Sequence, residues 1–165
     1  MSTTPLDVLT LAKQLQQQGG GEATLRSAVS RAYYAALLRA DEVFPHRSTS
    51  AELGGGSSHT KIISRTQAYA NGVKPGKLSA LSVAKHLPKL KRSRVTADYF
   101  LTETVTAKEC LDVVTIAEQV LKWCDDIEQK TALAATLNPV AAPAPNPVAA
   151  PNAPPASRPI LTRVR

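Results

Sequence analysis

The chain has 165 residues, a net charge of +7 and only 4% aromatic side chains. That length is enough for one domain of ordinary size. The apolar set is mostly Ala, Leu and Val, which lose little freedom in a helix, so the composition points away from a sheet protein. The basic balance suits a polyanionic partner, usually nucleic acid and sometimes an anionic membrane surface.

The spacing predicts a first helix over Pro5–Gln18, with Thr4 as N-cap, Pro5 in the first turn and Asp7 near the helix N-terminus. Gly19, Gly20 and Gly21 stop it. A second helix is expected from Glu22 to Phe44, with Leu25, Val29, Ala32, Ala36 and Val43 as its inward stripe and Pro45 as its end. A polar, glycine-rich loop follows. The third helix is expected at Ser58–Asn71, carrying Ile62, Ile63, Thr66 and Tyr69 or Ala70 inward.

The fourth should run from Lys77 to Tyr99, with Leu78, Leu81, Val83, Leu87 and Leu90 in the core and a kink or break near His86–Leu87 ahead of Pro88. The fifth opens on a capping box, Thr106 with Glu109. Cys110, Val113, Val114, Ala117, Val120, Leu121, Cys124 and Ile127 then form one apolar face, and fraying is expected beyond Lys130. Cys110 and Cys124, fourteen residues apart on one helix, stand about 21 Å apart and cannot bridge.

From Asn138 the composition turns to Pro and Ala, and the stretch NPVAAP occurs at 138–143 and again at 146–151. A disordered Pro/Ala-rich tail is expected there, closed by the basic, apolar octet RPILTRVR, a candidate docking motif. The expected organisation is therefore an N-terminal helix and glycine turn at 1–21, the remaining bundle at 22–135 and the tail at 136–165. No basic leader, no run of eighteen apolar residues and no Cys/His zinc spacing is visible. The expectation is a cytoplasmic protein with no membrane contact, no metal and no cofactor.

Three pieces in this order resemble one family. They are SRAYYA within AVSRAYYAALLRADEVF, a helix opening with SHTKII, and RSRVTADYF followed by the threonine-capped last helix. Together they resemble the HEPN domain over residues 5 to 129. The resemblance implies an all-α, four- to five-helix bundle, commonly a homodimer. It also implies an RNase or RNA-binding component of toxin–antitoxin, antiviral defence or stress systems, often beside a nucleotidyltransferase.

The family's nuclease signature is an arginine and a histidine with four to six residues between them. Arg94 takes the arginine place, but the residue five later is Tyr99, preceded by Asp98, and neither is histidine. Tyrosine titrates near 10 and is a poor base at neutral pH. The expectation is thus an RNA-binding or toxin-like protein lacking the usual Arg/His pair. The alternatives are an endoribonuclease that uses Arg94 with Tyr99 or with a histidine supplied elsewhere, and a module that docks a partner protein. Arg39 and His46 match the spacing formally, but in the wrong helix.

A run of cations without a carboxylate fills Lys74 to Arg94, and Lys85, Lys89 and Arg92 share one side of the fourth helix. These three, with Arg31 and Tyr34, are candidate RNA ligands gathered with Arg94 about one cleft. Tyr33 and Tyr34 point about 100° apart on their helix. One ring should enter the core with its hydroxyl on Asp98 or Arg94, and the other should border the cleft or a subunit interface. Asp98 should pair with Arg94 one turn away.

Overall fold

The computed structural model describes residues 2–44, 57–72 and 74–137. Among them stand five helices and no strand: α1 (Pro5–Gln17), α2 (Glu22–Val43), α3 (Ser58–Asn71), α4 (Lys77–Tyr99) and α5 (Ala107–Leu137). The protein is an all-α bundle, as composition and periodicity lead one to expect. The Pro/Ala-rich segment from 138, the loop at 45–56 and His46 lie outside the described residues.

Local chemistry sets the helix starts. Thr4 and Asp7 satisfy each other's backbone N–H groups at the head of α1, and Thr106 and Glu109 do the same for α5. Helix α4 instead begins after Gly76, whose φ of +70° is open to glycine at little cost. A Cβ there would sit 2.9 Å from Ile127 Cα, so the same glycine admits α5.

Helix α2 is the hub and packs against all four others. Its buried positions are mostly alanines (Ala28, Ala32, Ala35, Ala36, Ala40), whose short side chains let neighbouring helices approach. Tyr33 is the bulkiest exception and is fully buried, as is Phe44 just past the end of the helix. Each of the eight apolar positions expected on α5 is buried.

Arg39 ties α2 to α5 through Asp125 and Glu128 at 2.8 and 2.6 Å, and also meets Glu42 at 3.1 Å. With its guanidinium committed to three carboxylates, Arg39 is no partner for a catalytic histidine. Arg26 donates to the carbonyls of Thr96 and Ala97 at 3.2 and 2.9 Å and so caps the end of α4.

Three expectations change. Leu78 and Leu81 are exposed, 80% and 42% respectively, because α4 turns Ala80, Val83, Leu87 and Leu90 inward and these two lie on the other side. Of the kink or break expected ahead of Pro88, the break does not occur: α4 runs on through Pro88 to Tyr99. One missing N–H and a ring clash cost about 3 kcal/mol, which the burial of Leu87 and Leu90 on either side offsets. Helix α5 continues past Lys130 to Leu137, since Thr131–Leu137 contains neither glycine nor proline.

Candidate functional site

The tyrosine pair lies where α2, the start of α3 and the last turns of α4 meet. Tyr33 enters the core, and its hydroxyl meets His59 Nδ1 at 3.1 Å rather than Asp98 or Arg94. Tyr34 is half-buried and accepts a hydrogen bond from Arg94 Nη2 at 3.0 Å. The two rings and His59 form a triangle with centroids 5.4 to 5.6 Å apart. Arg31 and Arg94 stand 5.6 and 5.5 Å from the centre of the Tyr34 ring, within cation–π range. Both guanidinium groups thus contact the same ring.

Arg94 Nε lies 2.7 Å from Asp98 Oδ2, an ion pair by distance that falls outside hydrogen-bond geometry, so the buried Nε–H has no hydrogen-bond partner. Ser30 donates to the same Asp98 oxygen at 3.3 Å. Tyr99 is exposed, with Arg94 5.0 Å from its ring centre. Burial works against the Arg94 charge, but Tyr99, Asp98 and Tyr34 outweigh it and hold the pKa above its ordinary value. Lys91 reaches the same corner and donates to Thr60 at 3.3 Å.

His59 completes the cluster. Burial first, then the charges of Arg94 and Lys91, hold its pKa below the ordinary value, so the ring is neutral at pH 7. Burial pushes the Tyr33 hydroxyl up to about 12, so it keeps its proton. A phenol can donate to Nδ1 or accept from it. In the second arrangement Nε2 presents a lone pair and can take a proton; in the first it carries one and can give it. A cation that holds phosphate beside an imidazole that moves protons is the equipment for phosphodiester cleavage.

Arg31, Tyr34, Arg94, Asp98 and Tyr99 are thus brought together. Lys85, Lys89 and Arg92 are not. At about 100° per residue they lie roughly 140–180° around α4 from Arg94, on the solvent side. Lys89 borders a separate cleft whose other walls include Glu103, Glu109 and Asp112. The single cleft gathering all these cations does not form, because Arg94 occupies the inward face of α4.

In sequence His59, at a helix start, reads as a surface or capping residue and Lys91 as one cation of the basic run, while nothing singles out Ser30. A buried tyrosine needs a polar partner for its hydroxyl, and the histidine opening α3 was available to supply it. Elsewhere, Cys110 and Cys124 are buried free thiols, and burial pushes Cys124 up to about 12. Among the described residues no helix is long and apolar enough to cross a membrane. Comparison of the chain with family models, curated proteins and solved structures returns no match.

Proposed function

We propose that the chain is a HEPN-like endoribonuclease or RNA-binding protein whose phosphate site is Arg31, Lys91 and Arg94, with His59 as the proton-moving group. The observation that carries this reading is the His59 ring packed against both tyrosines, with its Nδ1 on the Tyr33 hydroxyl, at the corner that Arg94 and Lys91 also reach. On this reading His59 takes the part of the histidine missing after Arg94 in sequence. Arg94 would hold a non-bridging phosphate oxygen, with Tyr34 fixing the guanidinium. His59 would take the proton of a ribose 2′-hydroxyl as its oxygen attacks phosphorus, the P–O5′ bond would break to leave a 2′,3′-cyclic phosphate, and the imidazolium would return the proton to the departing 5′-oxygen. The proton transfer itself requires no metal.

A second reading, RNA binding without cleavage, draws support from Asp98, which offsets part of the Arg94 charge. A toxin–antitoxin or antiviral defence role, a cytoplasmic setting, a homodimer and a nucleotidyltransferase or other partner protein belong to the same proposal and follow from the family resemblance.

Labelled tRNA and mRNA incubated with the pure chain in EDTA decide among these. Cleavage that disappears in His59→Ala and in Arg94→Ala supports the nuclease. A salt-sensitive gel shift without cleavage supports the binder. Neither cleavage nor shift leaves the protein-docking module.

A further inference from the structure

We propose that the groove between α1, α2 and α4 seats one nucleobase beside the bound phosphate, and that it favours guanine. The inference rests on the phosphate reading above and assigns the subsite next to it. The groove measures about 630 Å³, within the range of small-ligand sites. It follows one face of α2 through Ala23, Ser27, Ser30 and Arg31, and so leads directly to Tyr34.

Its character is that of a base slot. Leu11, Leu15 and Ala97 give it apolar walls. Arg26 at one edge is already committed to Glu22 and to the carbonyls closing α4, so it offers little to a ligand. Arg31 has no ion pair among the described residues and stands where the groove meets the Tyr34 ring. A phosphate held by Arg31 and Arg94 leaves its own nucleoside at the mouth of the groove.

Asp98 lines both the groove and the cluster. Arg94 and Ser30 engage its Oδ2, while Oδ1 makes no hydrogen bond among the described residues. An ionised carboxylate is an acceptor only. Guanine presents two adjacent donors, N1–H and the 2-amino group, which meet the free Oδ1 and the lone pair of Oδ2 that Ser30 leaves open. Adenine and cytosine set an acceptor nitrogen beside their amino group, and uracil flanks its one N–H with carbonyls. Asp98 therefore selects guanine.

The test titrates the full chain with GMP, AMP, CMP, UMP and inorganic phosphate by calorimetry. GMP is expected to bind at least about tenfold more tightly than the other three nucleotides, a preference that Asp98→Asn abolishes. Asp98 also holds Arg94, so Leu11→Trp provides a second variant. It fills the groove from an exposed position, and should reduce GMP affinity to that of inorganic phosphate while phosphate binding stays unchanged.

Equal affinities for the four nucleotides, or GMP binding undiminished in Leu11→Trp, overturn the proposal. GMP selectivity in a protein that cleaves no RNA supports the groove and removes only the nuclease. Phosphate binding without nucleotide preference removes only the groove. Binding of neither removes both.

Discussion

Helix α4 carries two sets of cations on opposite sides, and they have different fates. Lys91 and Arg94 face α2 and α3, where each is held by a named partner: Thr60 for Lys91, and Tyr34 and Asp98 for Arg94. Lys85, Lys89 and Arg92 face water and make no ion pair among the described residues. In sequence the five form one uninterrupted basic run. The contrast teaches that a charge run defines a helix's composition, whereas the packing of its neighbours decides which charges are placed for chemistry.

The largest expected difference is functional. His59→Ala and Arg94→Ala should each lower RNA cleavage by about a hundredfold or more, the scale of lost proton transfer or lost phosphate clamping. Arg92→Ala should leave it within a factor of about two, because an exposed charge is screened. Equal losses from both sides would erase the distinction between them. Single-turnover cleavage of one labelled RNA measures all three variants.

The same helix offers a stability version of the comparison. Leu87 is fully buried and Leu78 is 80% exposed. Leu87→Ala should cost about 2–5 kcal/mol and Leu78→Ala less than about 0.5 kcal/mol in urea unfolding. A large loss from Leu78→Ala would mean that a second surface covers the outer side of α4.

The two leucines also mark the limit of reading the fold from sequence. The elements were legible because their signals are local: the capping boxes at Thr4 and Thr106, the glycines after α1, the unbroken stripe from Cys110 to Ile127. Leu78 and Leu81 read as inward because leucine is usually core, yet α4 has apolar residues on both sides and its periodicity does not name the inner one. The cluster was half legible. Arg94 and Asp98 are one turn apart, but His59 reaches Tyr33 only through the packing of α3 on α2 and α4, across 26 residues of chain. No spacing rule reports such a pairing.

The inner side should also respond to pH. His59 faces Tyr33 and Tyr34 from α2, and Arg94 and Lys91 from α4. Its folded pKa lies below the unfolded value of about 6.5, so the unfolded chain binds the extra proton as pH falls. Its contribution to stability is complete above pH 6.5 and is lost as pH falls through the folded pKa. Urea unfolding between pH 5 and 7 should show this decline, and His59→Gln should flatten it. The protective carboxylates Asp7, Glu22 and Glu109 have their pKa values lowered by hydrogen bonds, so they titrate below that window.

The smallest effect belongs to the outer side. Lys85 and Lys89 are one turn apart with no carboxylate between them and repel weakly. Lys85→Glu replaces that repulsion with an attraction in the favourable order, acid before base, and should stabilise the fold by about 0.3–0.5 kcal/mol at low salt. The gain should fade by 0.5 M salt, since the Debye length shrinks below the separation of the charges. RNA cleavage should be unaltered if the outer cations are only a solvated surface. A cleavage or binding defect in Lys85→Glu that salt cannot mimic would instead place the RNA across both sides of α4.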